Sequence, residues 1–423
     1  MNIFVKKPLT YQGRSHRILI SILVLSLLFA SVPAAPARAM SASAPAADIL
    51  PDEVSIPTAA AVKESAGFQT EAPAAILMEA STGTILYEKE ADSEKPPASV
   101  TKVMTLLLIF DSIASGQISL SDTVTVSEYA ASMGGSQVFL EPGETQTVDT
   151  MIKCIAVSSA NDACVAMAEH IAGSEETFVA KMNERAKNLG MKHTRFINCC
   201  GLDADKHLTS PRDIAIMSRE LTTRYPKIFE YTTIWMENIT HVTRRGASEF
   251  GLSNTNKLIR QYNGATGLKT GSTSKAGFCL SATATRDGVS LIAVVMGCDS
   301  SKARIAASCA LLDYGFSICQ VYEDKKPPKL DAVPIQGGKK EAVLCQYKKS
   351  FSHVTSKKLD QSKIQKKIKT KKSLAAPIKK GQQIGTLTYY YENKKLGSIP
   401  IISKESVGKA SYLDYIQKLM RGL

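Results

Sequence analysis

The sequence predicts a mixed α/β fold followed by a smaller β-rich domain, and three observations carry that prediction. Ala74 to Lys89 reads as a β-hairpin, and Phe278 to Thr285 with Val289 to Met296 reads as a second strand pair far along the chain. The long stretch between them is patterned mainly as helix. Beyond about Val321 the composition shifts to short β runs rich in lysine. A chain of 423 residues is long enough for two such domains.

Taken in order, the first 39 residues look like an export leader. Lys6, Lys7, Arg14 and Arg17 precede an apolar core from Ile18 to about Val32, and Ala37-Arg38-Ala39 supplies a small-x-small cleavage site. That core is shorter than the roughly 20 residues a spanning helix needs, so cleavage is expected and the mature protein is expected outside the cytoplasm. Met40 to Gly67 is rich in Ala, Ser and Pro and reads as a flexible lead-in. In the hairpin, Ala75-Ile76-Leu77-Met78 and Thr84-Ile85-Leu86-Tyr87 flank the turn residues Ser81-Thr82-Gly83.

A helix opening at Ser99 is expected to run to about Gly116, and its Val103 to Phe110 stretch is apolar on every side, as in a buried central helix. Val148 to Ala172 is helical, broken by the polar stretch Ser158 to Asp162. Glu176 to Leu189, stopped by Gly190, and Pro211 to Tyr225 are further amphipathic helices. Arg286-Asp287-Gly288 is a tight turn joining the second strand pair, and Ser301 to Ile318 is a long helix. The β-rich domain is expected over 321–405, with strands Ile384 to Tyr391 and Leu396 to Ile402 around Glu392-Asn393-Lys394. In the last segment, 406–423, Tyr412, Leu413, Ile416, Leu419, Met420 and Leu423 fall at helical spacing, with Lys409, Lys418 and Arg421 on other faces. Such a basic amphipathic helix either lies on an anionic membrane or docks on the β-rich domain.

Net charge is +13. The leader carries five basic and no acidic residues, which leaves +8 for the rest. Between Lys348 and Lys380 twelve lysines are opposed only by Asp360. On an exported protein such a run points to anionic lipid or acidic wall polymers, or simply to a solvated loop, and not to nucleic acid. Nine cysteines are an odd number, and Cys154, Cys164, Cys279, Cys298, Cys309 and Cys319 lie inside apolar stretches, so core packing is their expected role. The adjacent Cys199-Cys200 is the one unusual pair. No spacing resembles a zinc site, and no metal or cofactor is indicated.

The chemistry resides in Ser99-Val100-Thr101-Lys102. A serine hydroxyl is a weak nucleophile at neutral pH unless a base lies within hydrogen-bond reach. Residues three apart share a helix face, so Lys102 can reach Ser99. Burial and a second nearby cation, Lys269, would disfavour the charged form of such a lysine and leave it able to accept a proton. Alone, this tetrad is common in helices. Here Ser159-Ala160-Asn161 and Lys269-Thr270-Gly271 follow it in order.

Together the three elements resemble the penicillin-recognising serine hydrolases. Gln137 to Gly143, Asn161 to Ala168, Gly201-Leu202-Asp203-Ala204-Asp205 and Gly267 to Gly271 narrow the likeness to the D-alanyl-D-alanine carboxypeptidases among the low-molecular-mass penicillin-binding proteins. The likeness extends from about Phe68 to the C-terminus. It implies a serine β-lactamase/transpeptidase-like catalytic domain over 68–320: an antiparallel sheet with helices on both faces and an all-helical insert, then a small β-sandwich. It further implies a peptidoglycan stem peptide ending in D-Ala-D-Ala as substrate and β-lactams as covalent inhibitors.

By the same resemblance Ser99 is the nucleophile, Lys102 its base, and Ser159 passes a proton to the leaving amine together with Lys269. Asn161 binds the substrate backbone and steadies Lys102, while Thr270, Lys269 and Arg304 receive the terminal carboxylate. The backbone N–H groups of Ser99 and Ser272 form the oxyanion site, and Gly271 keeps the strand edge clear for substrate. Two positions depart from the family pattern: Cys200 stands where many relatives carry His, and Ser272 where some do. A class A β-lactamase shares the three motifs but needs a Glu-x-x-Leu-Asn loop. The nearest approach, Glu184 to Asn188, lies inside a patterned helix with Lys187 in place of Leu. A penicillin or muropeptide sensor that acylates only once is the other alternative.

Overall fold

A computed structural model describes residues 67–356 and 359–421. The expected leader at 1–39, and all but the last residue of the lead-in, lie outside them. The centre of the molecule is a five-stranded antiparallel sheet built from β1 (Ala74–Glu79), β2 (Ile85–Lys89), β7 (Ala265–Thr273), β8 (Gly277–Arg286) and β9 (Val289–Cys298), in the order β2-β1-β9-β8-β7. The first and last strands of this domain therefore meet in the middle, Ala74 opposite Met296 through Glu79 opposite Leu291.

Strands buried on both faces read as continuous apolar runs. In β1 and β9 the two faces separate cleanly: Ile76, Met78, Ile292 and Val294 join the larger core, whereas Ala75, Leu77, Leu291 and Val295 pack on Leu311 and Leu312 of α9 (Ser301–Ile318). On the opposite face lie α1 (Lys102–Ala114) and α6 (Pro211–Arg224). Every residue of α1 from Lys102 to Phe110 is buried, as its uniformly apolar surface requires.

The insert contains α2 (Glu128–Ala131), α3 (Val148–Val157), α4 (Asn161–Ala172), α5 (Glu175–Asn188), α7 (Ile228–Thr232) and α8 (Leu258–Gln261). Ser174 caps α5 and Ser210 caps α6, each hydroxyl accepting an N–H three residues on, so these helices start within a residue of the expected positions. The insert is not all-helical. A short pair, β3 (Thr123–Thr125) with β4 (Thr145–Thr147), and a hairpin, β5 (Met236–Thr243) with β6 (Gly246–Ser253), interrupt it. The hairpin carries a half-buried alternation, with Ile239, His241 and Leu252 buried between exposed neighbours. Its two-residue turn, Arg244-Arg245, lacks the Asn-Gly or Asp-Gly that marks such turns.

The C-terminal part is β-rich. A four-stranded sheet is ordered β13 (Cys345–Tyr347), β18 (Lys394–Ser403), β17 (Gln383–Tyr391), β15 (Ile364–Thr370). A three-stranded sheet is ordered β12 (Ala342–Val343), β11 (Val333–Gln336), β16 (Leu374–Ala375), and a two-stranded pair joins β10 (Gln320–Glu323) to β14 (Ser352–Thr355). The β17–β18 turn is Glu392-Asn393, both left-handed at φ 46° and 66°. Part of the lysine-rich run is therefore strand and not loop: β15 pairs along its whole length with β17. The final helix, α10, spans Tyr412–Arg421.

Candidate active site

Ser99 lies in a single turn of 3-10 helix, Ala98–Thr101, that feeds directly into α1. The expected i, i+3 relation survives because a 3-10 turn eclipses residues three apart. Lys102 Nζ lies 3.0 Å from Ser99 Oγ. It also donates to Asn161 Oδ1 at 2.6 Å and to the Cys200 carbonyl at 2.7 Å. The first two motifs thus converge on one buried nitrogen.

This turn is held from below. Ala98 takes φ +47°, an uncommon value for a residue with a side chain. The Thr101 hydroxyl donates to the Ala98 carbonyl at 2.9 Å and faces His207 Nε2 at 2.9 Å. The Ile197 N–H donates to His207 Nδ1 at 3.1 Å, which leaves Nε2 as the protonated nitrogen and the donor to Thr101. Burial lowers the His207 pKa to about 4. Gly201, at φ +89°, closes the same contact: a Cβ there would lie 1.9 Å from the Ala98 oxygen.

The second motif sits between α3 and α4. The break is shorter than its polarity predicts, since Asn161 and Asp162 already form the first turn of α4. Ser159 bends the chain with φ +63°; it is buried, and its hydroxyl has no hydrogen-bond partner among the described residues. A left-handed serine with an unused buried hydroxyl is the kind of strain that active sites retain. Asn161 is oriented by donating Nδ2 to the Gly134 carbonyl at 2.7 Å, while its own N–H reaches Ser136 O at 2.7 Å. Asp162 accepts the N–H groups of Val138 and Leu140, both at 3.1 Å, so the 134–140 loop hangs from these two side chains. Burial pushes the Asp162 carboxyl up, against the backbone donors that lower it.

The third motif lies on β7, an edge strand of the sheet. Lys269 is fully buried and donates to the Thr270 carbonyl at 3.1 Å. Burial drives its amine well below the usual lysine range, and the charges of Lys102 and Arg304 push the same way. The Thr270 hydroxyl pairs with that of Thr255 at 2.8 Å, and Ser272 is exposed beyond it. Gly271 has a second reason to lack a side chain. A Cβ there would meet the Pro97 carbonyl at 2.8 Å and the Ser99 and Val100 nitrogens at 3.0 Å, so glycine permits the strand to touch the nucleophile's own turn. Arg304 is not a solvated helix arginine. It is buried and donates Nη1 to the carbonyls of Gly271 at 3.1 Å and Cys279 at 3.3 Å.

Several participants escape sequence reasoning. Cys200 contributes a carbonyl, not its thiol, and Gly134 likewise contributes only a carbonyl. Glu175 fixes the segment before Cys200 by accepting the Cys199 N–H at 2.9 Å. Backbone acceptors have no residue-type signal; the Gly134-Gly135 pair beside a motif was the one available hint. Glu184, the nearest approach to a β-lactamase glutamate, is exposed on α5. Among the described residues no group of His, Cys, Asp and Glu is placed to hold a metal.

Fold and site together define the class, a serine peptidase of the penicillin-recognising type. Residues 58–300 match the D-alanyl-D-alanine carboxypeptidase family, Peptidase_S11, and residues 316–409 match the penicillin-binding protein 5 C-terminal domain. The D-alanyl-D-alanine carboxypeptidase DacF of Bacillus subtilis is 41% identical over 359 residues, covering 85% of this chain and 91% of that protein. DacC of Escherichia coli is 33% identical over 84% of this chain and 89% of its own length. Penicillin binding protein 5 from Haemophilus influenzae aligns in structure with a TM-score of 0.60 at 30% identity, over 81% of this chain and 99% of the other. The chain belongs to the D-alanyl-D-alanine carboxypeptidase family of penicillin-binding proteins.

Proposed function

We propose that this protein removes the terminal D-alanine from peptidoglycan stem pentapeptides through an acyl-enzyme on Ser99, and that β-lactams acylate the same hydroxyl. The observation that carries this reading is the 3.0 Å approach of Lys102 Nζ to Ser99 Oγ, with two carbonyl oxygens taking the amine's other directions. Acting as the base, Lys102 donates to Asn161 and Cys200 and turns its third direction to the Ser99 hydroxyl. It takes the Ser99 proton as the oxygen attacks the carbonyl of the penultimate D-Ala. The Ser99 and Ser272 N–H groups face the developing oxyanion; one such donor is worth about 2.7–4 kcal/mol in comparable hydrolases. Ser159, whose hydroxyl has no partner among the described residues, relays a proton to the departing amine with Lys269. Water then releases the acyl group by the reverse path.

In this reading the carboxylate of the leaving D-Ala lies against the Thr270 hydroxyl, beside Lys269 and in the positive field of Arg304. Arg304 also spans Gly271 and Cys279, so it braces the strand edge that the substrate lies along. A catalytic domain over 68–320, a β-rich domain over 321–405 and a terminal helix complete the reading. The protein is exported and works on the outer face of the cytoplasmic membrane, with anionic lipid or wall polymer as the partner of its lysine-rich C-terminal part. Among the described residues no helix is long and apolar enough to cross a membrane.

Mass spectrometry of defined muropeptides before and after incubation is the test, with Ser99→Ala as control. Loss of one D-alanine that disappears in Ser99→Ala is expected, together with a long-lived penicillin adduct on Ser99. Rapid multiple-turnover hydrolysis of penicillin would identify a β-lactamase instead. Penicillin binding without release of D-alanine would identify a sensor.

A further inference from the structure

The Cys199-Cys200 pair is unused by the chemistry above, yet its backbone is tied twice to the catalytic helix. The Thr105 hydroxyl donates to the Cys199 carbonyl, and Lys102 Nζ donates to the Cys200 carbonyl at 2.7 Å. The two residues are buried, neither is in a disulfide, and the Cys200 thiol reaches Asn198 Oδ1 at 3.6 Å. From this juxtaposition we propose that Cys199 and Cys200 form an oxidative modification site whose closure to a vicinal disulfide withdraws the Cys200 carbonyl from Lys102 and switches the enzyme off. The proposal rests on Lys102 serving as the base.

Geometry supplies the coupling. Bridged cysteines ordinarily have Cα atoms about 4.4–6.8 Å apart. Neighbours across a trans peptide are only about 3.8 Å apart. Closing the ring must therefore twist the Cys199–Cys200 peptide and turn the ψ of Cys199 and the φ of Cys200, and rotation about the Cys200 N–Cα bond swings the carbonyl that positions Lys102. Reactivity is asymmetric within the pair. The neighbouring Cys199 thiol lowers the Cys200 pKa against the burial that raises it, whereas burial and the Cys200 sulfur raise that of Cys199. A thiolate is the reactive form.

A small peroxide is the oxidant in class. The Cys200 thiolate attacks one peroxide oxygen, the O–O bond breaks, and a sulfenic acid and one water form after proton uptake. The Cys199 sulfur then displaces the hydroxyl, which leaves as a second water. Two thiols and one hydrogen peroxide give one disulfide and two waters, with two electrons passed from sulfur to oxygen.

Purified enzyme, already shown to release D-alanine in a Ser99-dependent way, is treated with hydrogen peroxide and followed by both peptide mapping and turnover. That prior step separates a failure of the function from a failure of the switch. The expected result is a loss of two hydrogens in the peptide containing residues 199 and 200, a fall in kcat/KM of at least tenfold, and recovery of both with dithiothreitol. Cys199→Ala and Cys199→Ser, each compared with its own untreated activity, are expected to lose the dithiol-reversible disulfide and the inactivation that follows it. A 199–200 disulfide with unchanged kcat/KM would overturn the proposal. So would inactivation that tracks another cysteine, such as Cys164, or no oxidation of the pair while the enzyme stays active.

Discussion

His207 shows how a residue far from the motifs in sequence conditions the nucleophile. Its ring accepts from one backbone N–H and donates to Thr101, a pattern only the neutral imidazole can make. Its pKa is lowered from 6.5 to about 4. Below pH 6.5 the unfolded chain binds a proton that the folded chain refuses, so stability falls as pH drops from about 6.5 to about 4. The full loss is about 3.5 kcal/mol at about 1.4 kcal/mol per pKa unit. Urea unfolding across that range should show the decline, and His207→Gln should flatten it. An unchanged slope in the variant would assign the decline to the carboxylates. Arg304 makes a second case at this scale. Arg304→Ala should raise KM for D-Ala-D-Ala peptides by about tenfold or more, and should slow acylation by an ester lacking the free carboxylate much less. Equal effects on both substrates would reduce Arg304 to a brace for β7.

Elements meet at this site through backbone contacts, and glycine sets the closest of them. Gly271 brings β7 against the turn before α1, where any side chain would strike three backbone atoms. Overpacking of this kind costs about 1–3 kcal/mol. Gly271→Ala should therefore slow penicillin acylation by about 100-fold or more while the far-UV circular dichroism stays native. Acylation within a few-fold of the parent would show that β7 can retreat without disturbing Ser99. The same contact explains why two distant motifs can act as one site. The strand fixes the register of Lys269, Thr270 and Gly271, and the turn fixes Ser99 and Lys102.

For the whole molecule, the C-terminal part is anchored by a buried carboxylate. Asp324 accepts from Lys366 Nζ at 2.7 Å and from the Tyr389 hydroxyl at 2.8 Å, beneath the stacked rings of Phe351 and Tyr389. One lysine of the basic run is thus turned inward, leaving its neighbours on β15 outward. Breaking a buried pair by removing one partner costs about 3–5 kcal/mol. Asp324→Ala should lower the unfolding midpoint of the C-terminal part and leave acylation of Ser99 unchanged; loss of both together would mean that the two parts unfold as one. At the far end, α10 exposes Tyr412, Leu413 and Met420, at 80%, 68% and 71% of their surfaces. Deleting residues 406–423 should release the protein from membranes on fractionation. Unchanged association would leave the lysine-rich face as the attachment.

Much of this was legible in the sequence because apolar patterning and motif spacing are local. The hairpin of β1 and β2, the buried α1, the long α9 and the order of the three motifs all follow from residue type and period. The β5–β6 hairpin was missed because its turn carries two arginines, and β15 because lysine is a poor marker of strand. Ser99, Lys102, Ser159, Asn161 and Lys269 were named from the motifs; the carbonyls, and the side chains of Thr101, Glu175 and His207, were not. What the chain by itself determined is which groups are available to react. Only the tertiary structure decided that the Cys200 and Gly134 carbonyls, Gly271 and His207 would hold them. A backbone oxygen is present at every position, and only folding gives one of them a direction.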